Sequence, residues 1–274
     1  MSESLQAFIL GAVQGLTAFI PVSSWSHLIV FPWLLGWDNR FLNSLTFQVA
    51  LQLGSVLALL SFYWKEWLEL VNAFFSGIKE GHLYNNFQRR LVWYVIIATI
   101  PGSLLGYFFE KPIKEVLRNP LNVGIAMIVF GIVLYFADRV ARHSSRDYSQ
   151  ITIKDTLIIG FAQAMALIPG VSRSGITMTA ALFLGLNRET SAHFSFLLAM
   201  PILLGASFLK LHKLIYHFPA SEINPFIWGV IGSAVVSYIV IDVLLKYLKR
   251  HSFVPFVWYR VLFGSFLIIM YFVR

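Results

Sequence analysis

An all-α polytopic membrane protein, with six full spans and two re-entrant helical hairpins in an inverted repeat, is the fold class this sequence predicts. Three observations predict it. The chain of 274 residues is 58% hydrophobic and only 12% charged, with a mean hydropathy of +0.72, too little polar surface to coat a water-soluble globule. Six apolar stretches approach the ~20 residues that a membrane-crossing helix needs. Two further apolar regions are each interrupted by proline into pieces shorter than that, and they match one another in sequence.

The first element is a broken one. Leu5 to Ile20 and Val22 to Leu35 are each too short to cross a bilayer and are separated at Pro21, so they read as a hairpin that enters the membrane and returns. Full spans follow at Leu45 to Trp64, Leu91 to Phe109 and Leu121 to Ala137. A second hairpin, Thr156 to Ile168 and Ile176 to Leu186, turns at Pro169 and Gly170. His193 to Leu211, Phe226 to Leu245 and Val254 to Val273 complete the spans. Broken backbone survives at membrane depth only where protein or a wet cavity satisfies its amides. Setting Gly11 on Gly160 pairs, without a gap, Gln14 with Gln163, Val22 with Val171, Ser23 with Ser172, Leu35 with Leu184, Gly36 with Gly185, Phe47 with Phe196 and Ala50 with Ala199. The reading is one integral membrane domain, 1–274, with inverted repeats at about 5–64 and 154–211.

Lys and Arg decide the orientation. If the hairpins do not cross, Lys65, Lys79, Arg89, Arg90, Arg139, Arg142, Arg146, Lys154, Arg188, Lys246, Lys249 and Arg250 share one face. Arg40, Lys111, Lys114, Arg118, Lys210, Lys213 and Arg274 lie on the other. The richer face is assigned to the cytoplasm, so the first hairpin dips in from outside and the second from inside, with their tips meeting near mid-membrane. The net charge of +8 is clustered between apolar stretches, which argues against a nucleic-acid surface. Cysteine is absent, excluding disulfide and thiol chemistry, and MSESLQAF lacks the basic start of a cleavable signal. Trp33, Trp37, Trp64, Trp67, Trp93 and Trp258 suit interfacial anchoring. His82, His143, His212, His217 and His251 fall in loops or at span ends. No zinc-ligand spacing, phosphate-binding P-loop or dinucleotide fingerprint is present.

The polar residues gather at the two hairpin tips, PVSSWSH (Pro21 to His27) and PGVSRSG (Pro169 to Gly175). An ionisable group inside a bilayer costs on the order of 3 kcal/mol or more, so Arg173 and His27 need an anionic partner or a wet cavity. Neither tip holds an acid; Asp38, Asp155 and Glu189 belong to the hairpin ends. A ligand can supply the missing charge, and phosphate suits it. Arginine presents a planar fork of donors, serine hydroxyls add more, and a broken helix aims free amides and a positive dipole end at the same oxygens. Ser172, Arg173, Ser174 and Gly175 have the composition of an oxyanion nest. His27 can act as general base or acid or accept a phosphoryl group; its plainer role is a hydrogen bond to a neighbouring carbonyl. Ser23, Ser24 and Ser26 offer a nucleophile or ligand hydroxyls, or bond backward within their helix. Gln14 and Gln163 can orient a ligand or tie a hairpin to its neighbour, and Gln48 and Gln52, one turn apart, can line a cavity or bridge helices.

These residues resemble the bacterial undecaprenyl-diphosphate phosphatases of the BacA type, the bacitracin-resistance proteins, along nearly the whole chain. QGLTAFIPVSS with His27 is similar to the first family motif and PGVSRSGIT to the second, while FSFLLAMPILLGA and FVPFVWYRVLFG match further stretches. The resemblance implies a phosphatase of the bacterial inner membrane, its site facing outward, that removes the terminal phosphate of a C55 polyprenyl diphosphate and so recycles the carrier lipid of peptidoglycan synthesis. It implies His27, Ser24 and Arg173 as catalytic residues, and Ser23, Ser172, Ser174, Gly175 and Gln14 as substrate-binding ones, to which the hydroxyl of Ser26 is added from its place in the tip. It also implies a divalent metal, magnesium or calcium. The departure is Ala18, where the family pattern has a glutamate that helps bind the metal or activate the nucleophile, and this leaves metal binding in doubt. Trp25 and Ser26 stand where small residues are expected. Loss of such an acid commonly costs about 100- to 10,000-fold in rate. The expectation is therefore a protein that binds the diphosphate lipid with hydrolysis weakened or lost. The alternative is a polyprenyl-phosphate flippase or secondary transporter, since inverted hairpins meeting at midplane also describe transporters. Lipid and membrane are the partners, with a homodimer left open.

Overall fold

The computed structural model describes residues 1–117, 119–215 and 219–273, and the side chains of all these but 45, 110–117 and 209–215. The side chains of the outer-face cations Lys111, Lys114, Arg118, Lys210, Lys213 and Arg274, and those of His212 and His217, fall outside the described part. Eleven α-helices run among the described residues: α1 (Glu3–Phe19), α2 (Ser24–Leu35), α3 (Leu45–Phe62), α4 (Trp64–Glu80), α5 (Phe87–Leu117), α6 (Pro120–Val140), α7 (Ile153–Ala164), α8 (Arg173–Phe183), α9 (Arg188–Ile215), α10 (Ala220–Leu248) and α11 (Val254–Val273). Local chemistry sets their starts. Ser44 accepts from the Phe47 amide at 3.0 Å, Asn119 from Asn122 at 2.7 Å with Pro120 opening α6, and Thr152 forms a capping box with Asp155.

Five helices, α5, α6, α9, α10 and α11, contain segments long and apolar enough to cross a membrane. The sixth expected span, Leu45 to Trp64, ends as a helix at Phe62. There the chain bends by 80° into α4, a helix that the sequence analysis does not predict; α3 and α4 taken together are long and apolar enough to cross a membrane. The stripe of Trp67, Leu70, Ala73, Phe74 and Gly77 explains it, because a helix with one apolar face lies along the bundle instead of through it.

Both hairpins return to the side they start from. Asn39, past the end of α2, donates to Glu3 at the start of α1 at 2.8 Å. Arg146 reaches Asp155 at the start of α7 at 2.6 Å and the Leu184 carbonyl at the end of α8 at 2.5 Å. Burial opposes ionisation of Asp155, but the hydrogen bonds from Arg146 and Thr152 outweigh it and hold the carboxyl below its usual range. The two mouths lie at opposite ends of α3, which runs about 27 Å from Ser44. Beyond its far end, Glu66 accepts from Tyr148 and pairs with His193, each at 2.8 Å, beside the second mouth. At that end Arg188–Asp138, Arg146–Asp155 and Lys249–Glu189 pairs draw together cations from separate loops.

The halves exchange partners. Helix α1 packs chiefly on α10 while α7 packs on α5, and α6 and α11 pair with each other. The α6–α11 crossing is reciprocal: a Cβ on Gly124 would lie 2.7 Å from the Gly264 carbonyl oxygen, and one on Gly264 2.7 Å from that of Gly124. At the α1–α10 contact a Cβ on Gly11 would lie 2.1 Å from the Gly229 carbonyl oxygen. Gly11→Val is therefore expected to force the helices apart and cost about 1–3 kcal/mol, seen as a lower melting temperature in detergent; an unchanged melting curve would refute this tight crossing.

Candidate functional site

Each hairpin breaks the same way. The residue before the tip proline is extended, with φ −65° and ψ 138° at Ile20 and φ −73° and ψ 119° at Ile168, because the proline ring excludes the helical region there. Three residues after Ile20 and four after Ile168, Ser23 and Ser172 both adopt φ 71°, and they are the positive-φ residues other than glycine among the described residues. Such a conformation costs on the order of 1–3 kcal/mol and persists only where neighbours hold it. At the first tip the Ser23 hydroxyl lies 3.0 Å from that of Ser26, and His27 Nδ1 lies 2.8 Å from the Ser23 carbonyl oxygen. At the second, Ser172 Oγ accepts from the Gly175 amide at 3.2 Å and lies 3.2 Å from Ser174 Oγ. Ser174 then donates to the Ile20 carbonyl at 3.3 Å, joining the tips.

A residue that the sequence reading passed over makes the main junction. Arg260, on α11 and fully buried, spends all five of its N–H donors on carbonyls: Nε on Met127, Nη1 on Pro21 and Val171, and Nη2 on Gly170 and Val171, at 2.8–3.0 Å. It therefore grips both tips and α6 at once. Gly131 and Gly175 make the space, since a Cβ there would sit 3.1 Å from Arg260 Cβ and 3.0 Å from Nη1. The signal was a lone arginine inside an apolar span with no acid nearby.

Between the tips and α3 lies a cavity of about 270 Å³. Of the residues expected at the site, Gln14, Ala18, Ser23, Ser24, Ser172 and Arg173 line it, as do Gln48, Gln52 and Gln163. Ser26, His27, Ser174 and Gly175 are buried in the tips and do not line it. His27 thus departs from the expected catalytic placement: its ring is 1% exposed, stacks on Phe263 at 4.5 Å, and places Nε2 2.5 Å from the Tyr259 hydroxyl. Both nitrogens are engaged within the wall.

The cavity is electropositive. The Arg173 guanidinium makes no hydrogen bond or ion pair with a described residue, and no acid is among the described residues of the lining. Asp38 is exposed, while Asp155 and Glu189 are paired at the opposite end, so none of the three lies in the cavity wall. Helices α2 and α8 both begin here. No side chain caps α2, whose first residue, Ser24, lines the cavity. The amide oxygens of Gln48 and Gln163 are buried without a partner. The arrangement can therefore hold a multiply charged anion with guanidinium, amides and hydroxyls.

The chain also resembles known proteins over nearly its whole length. Residues 7–266 match the family model described as bacitracin resistance protein BacA. The undecaprenyl-diphosphatase of Pelotomaculum thermopropionicum is 45% identical over 265 residues, covering 97% of this chain and 96% of the relative. That of Geobacter metallireducens is 46% identical over 263 residues, 95% and 96% of the two chains, and that of Moorella thermoacetica 43% over 271 residues, 98% of each.

Proposed function

We propose, because the chain belongs to the bacitracin resistance protein BacA family, that this multi-pass membrane protein binds a polyprenyl diphosphate of the bacterial inner membrane with its diphosphate between the two hairpin tips. One observation carries the reading: an unpartnered guanidinium, Arg173, in an acid-free cavity where two helices begin. Arg173 and the N-terminal ends of α2 and α8 face the phosphate oxygens, and Ser23, Ser172 and Gln14 add neutral donors. The site faces outward, since the first mouth lies at the end of α3 away from the Arg146, Arg188 and Lys249 pairs.

The family reaction is the loss of the terminal phosphate. Ser24, in the cavity wall, or a water molecule would attack the terminal phosphorus while the bridging oxygen leaves with the lipid monophosphate. The attacking hydroxyl must lose a proton, and Ala18 offers nothing to take it. Magnesium or calcium fits this donor set poorly. Such ions favour charged oxygens, and the described wall offers neutral amides and hydroxyls beside a guanidinium. The reading is therefore a lipid-diphosphate binder with hydrolysis weakened or lost.

Binding tests it. Farnesyl diphosphate titrated into the purified protein in detergent is expected to bind, and Arg173→Ala to weaken that affinity by about 100-fold or more, the loss of a desolvated charge pair. Equal affinity in the variant would remove the phosphate assignment.

A further inference from the structure

We infer that His27 is a positioning residue, held in its Nδ1–H tautomer by Tyr259, whose task is to keep the Ser23 backbone in its left-handed conformation at the cavity edge. The inference rests on the diphosphate site proposed above and assigns two side chains their work within it.

The geometry leaves little choice of proton placement. A carbonyl oxygen only accepts, so the 2.8 Å contact between His27 Nδ1 and the Ser23 carbonyl puts the proton on Nδ1. Nε2 is then the acceptor for the Tyr259 hydroxyl at 2.5 Å. The ring is clamped in that plane by Phe263, with centroids 4.5 Å apart and planes 6° from parallel, and by Tyr259 at 5.5 Å and 15°. An imidazole so engaged has neither nitrogen turned to the cavity. What it does hold is the carbonyl of a strained residue. Ser23 has φ 71° without the freedom of glycine, and it and Ser24 line the cavity where the chain turns.

The two tips solve one problem with different parts. Ser172, at the same φ, has its own hydroxyl on the Gly175 amide and the preceding carbonyls on Arg260. Ser23 has no such cap, since its hydroxyl goes to Ser26. His27 supplies the missing restraint. Adjacent residues of α11 thus serve both tips: Arg260 grips them directly, and Tyr259 grips the first through the imidazole.

Two measurements test this. Nitrogen-15 spectra of the ring in the detergent-solubilised protein at neutral pH are expected to show a neutral imidazole, protonated at Nδ1 and hydrogen-bonded at Nε2, with the Nε2 resonance moving in Tyr259→Phe. Farnesyl diphosphate affinity is the second readout. His27→Asn keeps a donor where Nδ1 stood and is expected to stay within about threefold of the parent. His27→Gln and Tyr259→Phe are expected to lose about tenfold, the worth of one buried hydrogen bond. An imidazolium, or a proton on Nε2 in the parent protein, overturns the assignment whether or not the variants fold. So does equal loss in His27→Asn and His27→Gln. If Arg173→Ala alone leaves affinity unchanged, the diphosphate site fails instead, and the spectra still decide the tautomer.

Discussion

Phosphate release from farnesyl diphosphate is expected to rise by about 100-fold or more, from near background, when Ala18 is replaced by glutamate and magnesium or calcium is present. Ala18 lies on α1 one turn beyond Gln14, and both line the cavity. The methyl is 8% exposed, so a longer side chain there extends into the cavity toward the guanidinium that repels no anion, Arg173. A carboxylate in that place takes the proton of the attacking hydroxyl and gives a hard cation the charged oxygen the wall otherwise lacks. Ala18→Gln separates charge from bulk: it fills the same volume and is expected to yield no gain. Colorimetric phosphate release with purified protein in detergent reads all three. Brisk turnover by the unaltered protein, or the same gain with glutamine, would end the role given to position 18.

Arg260→Met is expected to cost on the order of 4 kcal/mol of stability and to abolish lipid-diphosphate binding with it. Methionine roughly fills the space but donates nothing, leaving the tip carbonyls of Pro21, Gly170 and Val171 buried without their donor, while Met127 keeps its bond within α6. Each unpaired group carries a desolvation cost of about 1–3 kcal/mol, reduced where the tips relax. Arg260→Lys, with three donors on a flexible stem, is expected to fall between the two. Thermal unfolding in detergent measures the series. A methionine variant within about 0.5 kcal/mol of the parent would show that the tips hold without the guanidinium.

The broken hairpins were legible because proline and glycine punctuate apolar runs for local reasons that need no tertiary context. The five spanning helices were legible from composition, and the gathering of Ser23, Ser24, Ser172, Arg173 and Gln14 at one cavity followed from reading two matched tips together. The bend at Tyr63 was not, because the charges scattered through Trp64 to Glu80 read as a loop until its apolar stripe is set on a helix. Arg260 was hidden by its surroundings: a guanidinium satisfied entirely by carbonyls leaves no partner in the sequence to pair it with. The orientation of His27 was equally out of reach, since a polar residue one helical turn from a serine faces a cavity or a neighbouring helix with equal ease. Tyr259 and Phe263 decide it, and they lie more than two hundred residues away.

The close seat of α1 on α10 has a consequence for how the chain is made. The ribosome delivers α1 long before α10, so the first hairpin leaves the insertion machinery while the glycine-lined surface it needs does not yet exist. Until residues near 229–237 emerge, its exposed amides must be sheltered by lipid headgroups, an insertase or the nascent neighbours. The seating of α1 therefore waits on α10, and the first half made alone lacks the surface on which α1 packs.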